Sequence, residues 1–435
     1  MMVTAAWLAA LGGGSSAAGE LPPAHGVAFH SAQVRPGDAF FALPGASRHG
    51  LDYAAEALAK GAAFIVADRP HPRGVTVPDP AGLLLKAGAL ARSQLAVPII
   101  AVTGSAGKTS TKAMISAALE AAATPGNLNT PLALAQTLIA AWLKPPRYLV
   151  LELGIDRVGD MDALIALTKP THSVLTLIAS SHLSGLGDIR QVAAEKCKLP
   201  AAARGWVSAA ALPYLLPGLR AHSIVYGLDS DVGCDVTGRV IRSEAARQQL
   251  EILGVRFWLP YPSPVMARNA VAAMALAQAF GVEPAQAAAR LSAVRLEPGR
   301  LQIHTLPSFT LIDDSYNSNP ASLAAALQTL TAFPGPHTAI LGDMLELGLE
   351  SEVLHLAMGR ATRGLEQVFF VGAESRAAAA ENPQAHHAAT VEALLAALAQ
   401  APLAGAVLVK GSRGMRLERV VQALLSRATP SEVPT

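Results

Sequence analysis

The sequence is poor in cysteine, in aromatic residues and in net charge. Two cysteines in 435 residues, Cys197 and Cys234, provide neither a disulfide framework nor the spacing of a structural zinc site. Charged residues make up 15%, and the formal charge of +2 is too small to indicate nucleic acid as the main partner. Because 51% of the residues are hydrophobic, the composition instead favours a globular enzyme of two or three domains.

A long apolar run is also absent. No stretch of about 18 uncharged apolar residues occurs, so we expect no membrane span. Residues 1–26 are apolar at first but have no basic residue before the apolar run, which excludes the usual form of a signal peptide. These residues predict a short amphipathic helix, and the few cysteines fit a reducing cytoplasm.

The full nucleotide-binding P-loop pattern is missing as well. Val102 stands where G-x-x-x-x-G-K-[ST] requires its first glycine, so the segment GSAGKTS at 104–110 is two residues short. Nevertheless a strand, a glycine turn, Lys108-Thr109 and a helix over about 108–122 follow in the order of a phosphate loop. We therefore predict that backbone N–H groups and the helix dipole hold phosphates, with Lys108 at the β/γ-phosphates and Thr109 at Mg²⁺. The alternative is an ordinary turn from strand to helix.

Alternating strands and helices predict an α/β fold in three regions. Residues 1–93 contain a helix that leads into a strand. Residues 94–293 open with PIIAVTG, and their apolar runs YLVLELG and HSVLTLIA are typical of strands buried in a parallel sheet. Residues 294–435 repeat the alternation in FTLIDDS, HTAILGD, QVFFVGA and AVLVKGS, which predicts a second, Rossmann-like sheet. Gly299 suits a hinge between the last two regions.

Polar residues that follow the central strands are candidates for the chemistry. Glu152 ends one strand and His182 follows the next, and ligands of open α/β sheets bind beyond such strand ends. Lys196 and Lys198 lie on one helix, about 200° apart, so at most one faces the site. Each has a simpler interpretation: a solvated carboxylate, a hydrogen-bonded loop histidine, or lysines that lie on the surface.

The third region has its own polar strand ends. The segment DDSYNSNP at 313–320 follows a strand and opens a helix, where it either caps the helix or binds ribose and adenine. Further strand ends place charges of both signs on one rim, which suits a zwitterionic substrate. These rim residues are Asp343, Glu346, Lys410, Ser412 and Arg413.

Taken together, these motifs resemble the Mur ligases of peptidoglycan synthesis, and within them the MurF type. The short loop G-x-x-G-K-[ST]-[ST] of that family matches TGSAGKTS. The segments that indicate the MurF type are NLNTPLAL at 127–134, IDDSYNSNPASL, LGDMLELG with His355 downstream, and KGSRGMRLE. The resemblance covers nearly the whole chain. It implies a UDP-substrate domain over 1–93, a central P-loop ATPase domain over 94–293 and a C-terminal domain over 294–435 that binds the incoming dipeptide.

The resemblance implies an ATP-dependent ligase that joins D-alanyl-D-alanine to UDP-N-acetylmuramoyl-tripeptide through an acyl phosphate. Catalysis would depend on Lys108, Glu152, His182 and a carbamylated Lys196, with two Mg²⁺ ions held by Thr109, Glu152, His182 and Lys196. ATP would contact Gly104, Ser105, Ala106, Gly107, Lys108, Thr109, Ser110, Asn269, Arg300 and Asp314. The substrates would contact Ser31, Asn127, Asn129, Thr130, Tyr316, Asn317, Asn319, Asp343, Lys410 and Ser412. A cytoplasmic monomer is expected.

Several positions depart from the family pattern. Ala106 stands where the loop of the family usually has Asn. Before Asn269 the family tends to have the sequence G-x-H-N, whereas residues 263–266 read SPVM. In the first region His30-Ser31-Ala32 replaces D-S-R, and His49-Gly50-Leu51 replaces D-G-H. Two rivals follow: a folylpolyglutamate-synthase-like ligase, and a degenerate protein that binds a UDP-sugar peptide without turnover. Retention of Lys108, Thr109, Glu152, His182 and Lys196 favours an active ligase over the second.

Overall fold

A computed structural model of the protein describes residues 2–17, 20–45, 47–216 and 218–428. The strands in this part of the chain are β1 Ser15–Ser16, β2 Gly26–Ala28, β3 Asp38–Phe41, β4 Phe64–Ala67, β5 Gly74–Thr76, β6 Ile99–Thr103, β7 Ala122–Ala123, β8 Leu149–Glu152, β9 His172–Leu175, β10 Arg204–Ser208, β11 Ser223–Leu228, β12 Val236–Glu244, β13 Arg247–Ile252, β14 Val255–Leu259, β15 Gln302–Thr305, β16 Phe309–Asp314, β17 His337–Gly342, β18 Gln367–Val371, β19 His386–Ala388 and β20 Gly405–Lys410.

The helices are α1 Ala5–Gly12, α2 Ala54–Ala59, α3 Pro80–Gln94, α4 Lys108–Leu119, α5 Pro131–Leu143, α6 Asp160–Thr168, α7 Leu183–Leu186, α8 Ile189–Ala202, α9 Pro264–Ala279, α10 Pro284–Ser292, α11 Pro320–Thr331, α12 Ser351–Ala361, α13 Arg376–Glu381, α14 Val391–Gln400 and α15 Glu418–Ala428. Short 3₁₀ turns lie between them. None of the helices described here is long and apolar enough to cross a bilayer.

The chain divides into two compact units. The first contains the residues up to Ala101 together with Glu120–Gly154 and Met161–His172. The second contains Val102–Leu119, Ile155–Asp160 and the residues from Ser173 onward. Three sheets, one in each region predicted from the sequence, have strands within residues 15–76, 99–259 and 302–410. The predicted boundaries at residues 93 and 293 stay predictions.

The first sheet has the strand order β1-β5-β4-β3-β2, and β2 to β5 pair in parallel. Alternate residues of β3 and β4 are buried on both faces: Phe41 and Phe64 join one apolar cluster, and Phe40 and Ile65 join another. Helices α1, α3 and α5 contribute to the first cluster. The predicted N-terminal helix is confirmed as α1, which Thr4 caps by accepting a hydrogen bond from the Trp7 N–H.

The nine-stranded sheet has the order β14-β13-β12-β11-β10-β9-β6-β8-β7. Both apolar runs predicted as strands form β8 and β9, but each strand ends before its run does. The sheet is mixed: β7–β8, β10–β11 and β11–β12 pair in parallel, as expected of the central domain, and β12, β13 and β14 pair antiparallel at one side. In β13 exposed and buried residues alternate, the pattern of a strand with one solvated face, which the search for continuous apolar runs missed.

The third sheet has the order β15-β16-β20-β17-β18-β19, and all pairs except β15–β16 are parallel. Its four inner strands are the four predicted from the sequence. They are buried because helices cover them: Leu394 of α14 and Val420 of α15 pack against Val407 and Val409 of β20 in one apolar cluster. The carboxyl ends of β16, β20 and β17 are therefore neighbours, as predicted for the rim.

Candidate functional site

The predicted phosphate loop lies between the buried strand β6 and helix α4. Gly104 and Gly107 adopt positive φ of 148° and 82°, a region that other residues rarely enter. A Cβ on Gly104 would lie 2.0 Å from Thr176 Oγ1, so only glycine fits there. The backbone thus has the conformation that the short glycine motif predicts.

Neighbouring residues hold the loop by its backbone. The Ser105 N–H donates to Leu177 O at 2.7 Å, and its hydroxyl donates to Ala179 O at 2.8 Å. Thr176 Oγ1 donates to Ala106 O at 2.5 Å. The N–H of Ser105, predicted as a nucleotide contact, is therefore used to attach the loop to the segment after β9.

Helix α4 begins at Lys108, directly after the loop. Lys108 Nζ donates to Gly104 O at 2.9 Å, so the side chain lies over the loop. Thr109 and Ser110 follow in the first turn and are each 3% exposed. A lysine, two hydroxyls and the positive end of a twelve-residue helix together favour an anionic ligand here.

Lys196 of α8 is buried close to this loop. It is 1% exposed, and its pKa lies well below the usual value because burial, and next the charge of Lys108, disfavour the ammonium. Asp156 opposes this shift. Lys198 differs: its side chain is 32% exposed, and its Nζ contacts Glu195 Oε1 at 2.5 Å. The two lysines of the helix thus have different environments.

His182 has two carboxylate partners. Its Nδ1 lies 2.6 Å from Glu346 Oε2 and 3.1 Å from Asp156 Oδ1. Burial, and next Lys108, lower the pKa of the imidazole, whereas Glu346 and Asp156 act to raise it. The structure thus brings together Lys108, His182 and Lys196, which lie far apart in the sequence.

Glu152 belongs to the other unit. It is the last residue of β8 and is 1% exposed, rather than solvated. Its Oε1 accepts a hydrogen bond from Asn129 Nδ2 at 3.2 Å. Asn127 is exposed, and Thr130 caps α5 by accepting from the Ala133 N–H at 3.4 Å. Two predicted residues, Glu152 and Asn129, therefore meet within this unit.

In the third region Lys410 and Asp314 form a pair. Lys410 is 2% exposed, and its Nζ donates to Asp314 Oδ2 at 2.6 Å and to Asn317 O at 2.9 Å. The pairing follows from the sheet, since Asp314 and Lys410 are register partners at the ends of β16 and β20. Asp314 Oδ1 also accepts from the Leu301 N–H at 3.2 Å.

Tyr316 lies between two guanidinium groups. Arg300 Cζ is 4.1 Å from the centre of the ring and Arg413 Cζ is 5.4 Å away, distances of cation–π contacts. Arg300 Nε is buried with no hydrogen-bond partner among the described residues. A guanidinium held this way has donors left for a ligand.

The side chains of Asp343 and Ser412 accept hydrogen bonds from backbone N–H groups of the rim. The Asp343 carboxylate accepts from the N–H groups of Glu374 and Ser375, at 3.2 and 2.8 Å. Ser412 Oγ accepts from the Leu345 N–H at 2.9 Å. Both side chains shape the rim, and their contact with substrate stays a prediction.

Asn269 of α9 borders the phosphate loop. It is 3% exposed, and a Cβ on Gly107 would lie 3.5 Å from its Oδ1. Its Nδ2 lies 3.8 Å from Met266 Sδ, inside the stretch that departs from the family pattern. Next to it, Arg268 makes two bonds of 2.7 Å to Asp231, which attach the start of α9 to the loop after β11.

The carboxyl ends of β2, β3 and β4 carry the polar residues of the first region. Ser31 Oγ donates to Glu56 Oε2 at 3.0 Å. His49 Nε2 lies 3.0 Å from Asp68 Oδ1, and His49 Nδ1 accepts from the Leu51 N–H at 3.1 Å. His30 is exposed, and Ala32 offers no polar side chain. A polar edge is therefore present although its residues depart from the family pattern.

Comparison with known proteins identifies the family. Three family models match: the Mur ligase middle domain over 102–277, the Mur ligase glutamate ligase domain over 299–413, and the Mur ligase family catalytic domain over 23–119. The chain is 31% identical to the UDP-N-acetylmuramoyl-tripeptide–D-alanyl-D-alanine ligase of Escherichia coli, over 91% of this chain and 93% of that protein. The chain belongs to the Mur ligase family, and within it to the MurF type.

Solved MurF structures have the same fold. MurF from Acinetobacter baumannii superimposes with a TM-score of 0.83 at 27% identity, covering 98% of this chain and 99% of that one. MurF ligase from Thermotoga maritima in complex with ADP gives 0.77 at 26% identity, covering 93% and 98%. The predicted fold class, family and enzyme class are confirmed, and these relatives do not favour either rival.

Sequence reasoning missed several residues of this MurF-type site. Asp156, Thr176 and Asp231 were not predicted, and Glu346 was placed on the rim but not next to His182. A polar residue within an apolar strand run, as Thr176 is, could have been noticed. His355 is buried: the Met344 N–H donates to its Nε2 at 3.0 Å, and its Nδ1 contacts Ser351 O at 2.8 Å. It therefore holds the loop after β17.

Proposed function

We propose that this MurF-type ligase joins D-alanyl-D-alanine to UDP-N-acetylmuramoyl-tripeptide and converts ATP to ADP and phosphate. The observation that carries the proposal is the phosphate loop with Lys108 close to the half-buried His182 and the buried Lys196. Support comes from the name of the E. coli relative and from the ADP bound to the T. maritima enzyme. The product, UDP-N-acetylmuramoyl-pentapeptide, completes the cytoplasmic stage of precursor synthesis.

The reaction proceeds in two transfers. The terminal carboxylate of the tripeptide attacks the γ-phosphorus of ATP, which yields an acyl phosphate and ADP. The amine of the dipeptide then attacks the acyl carbon, and the tetrahedral intermediate releases phosphate and forms the amide. Both partners of the first step are anions, so the site must neutralise charge and hold oxygens in line. Lys108 and the start of α4 provide part of that positive field.

The proposed nucleotide contacts come from the central region, residues 94–293, and from the third region, residues 294–435. In this proposal Gly104, Ser105, Ala106, Gly107, Thr109 and Ser110 surround the phosphates. Asn269 contacts adenine, Asp314 the ribose and Arg300 the γ-phosphate. The unpartnered Nε of Arg300 and its stacking on Tyr316 support that role, because a preoriented guanidinium binds phosphate oxygens well.

Two Mg²⁺ ions would act with the nucleotide, neutralising phosphate charge. Groups of three or more His, Cys, Asp or Glu arranged to hold a metal are absent from the described part of the chain. That fits Mg²⁺, which is usually held by one or two carboxylates together with substrate phosphates and water. Thr109 and Glu152 would hold the first ion, and His182 with Lys196 the second.

Lys196 fits this role only after carbamylation, because an ammonium repels metal ions and has no lone pair. Its depressed pKa provides the neutral amine that the reaction needs. The amine nitrogen attacks the carbon of CO₂, a C–N bond forms and one proton is released. The resulting carbamate has two hard oxygen acceptors of the kind Mg²⁺ prefers.

The UDP part, the acceptor peptide and the dipeptide would each contact a different group of residues. The UDP part lies at the carboxyl ends of β2 to β4 near Ser31, within a first domain of residues 1–93. The peptide acceptor contacts Asn127, Asn129 and Thr130 in this proposal. The dipeptide lies at the rim of the third domain, residues 294–435, formed by Tyr316, Asn317, Asn319, Asp343, Lys410 and Ser412. The protein would act as a cytoplasmic monomer.

Phosphate release tests the proposal. Purified protein should release phosphate from ATP only when UDP-tripeptide and D-Ala-D-Ala are both present, and mass spectrometry should detect the pentapeptide product. Acceptors with either meso-diaminopimelate or lysine at the third position identify the preferred substrate. Nucleotide binding without product from either acceptor would instead support a non-catalytic binding protein.

A further inference from the structure

Asn319 connects the third region to the phosphate loop through a single side chain. Its Oδ1 accepts from the Ser322 N–H at 2.9 Å, and so caps α11. Its Nδ2 donates to Ser105 O at 3.0 Å, inside the loop. The sequence predicted Asn319 as a substrate contact, yet in the structure both ends of the amide have a protein partner.

Because a trans peptide is planar, its C=O and the following N–H point in opposite directions. No cis peptide bond occurs in the residues described. Asn319 therefore fixes the direction of the Ala106 N–H when it holds Ser105 O. Thr176 does the same for the Gly107 N–H by holding Ala106 O at 2.5 Å.

The loop has few other means of fixing these two peptides. The side chain of Ala106 is a methyl group, and Gly107 has none. Ser105 uses its own N–H and hydroxyl to attach to Leu177 and Ala179. The carbonyl contacts from Thr176 and Asn319 are therefore well placed to determine how the loop presents its donors.

We infer that Asn319 is a positioning residue that orients the Ser105–Ala106 peptide for the phosphates of ATP. Since Asn319 begins α11, the geometry of the nucleotide site then depends on the docking of the third region. The inference rests on the proposed function, because it assumes that Gly104–Ser110 binds ATP.

The amide allows the two roles of Asn319 to be separated. Asn319→Asp keeps an acceptor for the Ser322 N–H and is itself a good cap, but has no donor for Ser105 O and places a carboxylate against that carbonyl. Asn319→Ser keeps a cap and is too short to reach the loop. Ser322→Ala weakens the same helix start, since Ser322 Oγ accepts from the Asn319 N–H at 3.1 Å, and leaves the loop contact intact.

The experiment measures ATP-analogue affinity by calorimetry, KM for ATP, kcat and melting temperature for the full-length parent and the three variants. We expect Asn319→Ser to weaken ATP affinity about 3- to 10-fold, the range for one lost hydrogen bond, and Asn319→Asp to weaken it more than about tenfold. Melting temperatures should stay near that of the parent, and Ser322→Ala should bind ATP like the parent.

The outcomes distinguish the inference from the proposed function. If the parent ligates and Asn319→Asp has the same ATP affinity and kcat as the parent, the inference is overturned while the proposed function stands. Asn319 is then only a helix cap. Equal losses in Asn319→Asp and Ser322→Ala also overturn the inference. A parent that does not bind ATP overturns both.

Discussion

At the scale of single residues, burial determines what the central side chains can do. Lys108, His182 and Lys196 are all cationic when protonated, and burial, followed by the charge of Lys108, lowers the pKa of His182 and of Lys196. Asp156 and Glu346 compensate part of that repulsion. A cluster of positive and titratable groups at the start of a helix favours a polyanionic ligand, as a triphosphate is.

Lys108→Ala should abolish ligation and leave the fold intact. The half-buried lysine folds over its own loop and belongs to none of the apolar clusters, so its removal should cost several kcal/mol in the transition state, or roughly 10³-fold in rate. Phosphate release together with circular dichroism checks both parts. Turnover near that of the parent would remove Lys108 from the mechanism.

Lys196→Ala should lose most activity, and acetate or formate should restore part of it by supplying an anion at the vacated position. Lys198→Ala is the matched control from the same helix and should behave like the parent, because its ammonium pairs with Glu195. Mass spectrometry under CO₂ should show a carbamate on Lys196. Full activity of Lys196→Ala in bicarbonate-free buffer would contradict the second metal site.

In CO₂-free buffer, where Lys196 is an unmodified amine, Lys196→Met should stabilise the protein, and the same change should inactivate the ligase. The depressed pKa means that the unfolded state binds more protons than the folded state at any pH between the folded pKa and about 10.5. The free energy of unfolding therefore rises with pH across that interval. At neutral pH the buried lysine lowers the free energy of unfolding relative to a side chain that does not titrate. Calorimetry should show a higher melting temperature for Lys196→Met, with a smaller gain at pH 9; a lower melting temperature at pH 7 would contradict this account.

At the scale of elements, local sequence determines where strands and helices form. The loops, by contrast, are held in place by hydrogen bonds from single polar groups. The motif LGDMLELG ends β17 and continues into the following loop, where Glu346 has a positive φ of 65°. The contacts that hold this loop include those of His355 with Met344, of Ser412 with Leu345, and of the Ser184 N–H with Glu346 O at 3.3 Å.

His355→Ala should release this loop. The change removes the acceptor that His355 Nε2 provides for the buried Met344 N–H, and a buried unsatisfied group costs about 1–3 kcal/mol. We expect a lower melting temperature and a raised KM for D-Ala-D-Ala, with KM for ATP changed less. His386→Ala, at an exposed histidine of β19, is the control and should resemble the parent. An unchanged melting temperature in His355→Ala would contradict the role of the histidine.

At the scale of the molecule, the proposed ATP contacts Lys108, Asn269, Arg300 and Asp314 are divided between the central and third regions, and all four residues lie in the second unit. Asn319 with Ser105 and Glu346 with His182 are contacts between these regions. Because the proposed nucleotide residues Lys108 and Asn269 lie in one region and Arg300 and Asp314 in the other, catalysis should require the two to come together and exclude water.

X-ray scattering should therefore report a smaller radius of gyration with an ATP analogue and UDP-tripeptide than without ligands. Glu346→Ala should reduce this compaction, since it removes the carboxylate from His182. Glu352→Ala, an exposed carboxylate on α12, should not. Profiles that are identical with and without ligands would contradict ligand-dependent closure.

The sequence by itself determined the phosphate loop and the order of the strands and helices around it, but not the antiparallel strands β12, β13 and β14. Glycines at 104 and 107, continuous apolar runs and the helix start after Asn319 are local signals, because each depends on backbone sterics or on hydrogen bonds to nearby residues. Motif order then sufficed to predict the family. It also placed Glu152 and Asp314 at the ends of their strands.

Only the tertiary structure decided which polar groups meet. That Lys410 is neutralised by Asp314, that Asp156 and Glu346 flank His182, and that Asn319 holds Ser105 O all depend on residues 26 to 214 positions apart. The pKa of Lys196 likewise follows from its burial and from Lys108, neither of which the spacing of the two lysines on α8 encodes. Desolvation and charge are set by every neighbour in space, so they become defined only once the chain has packed.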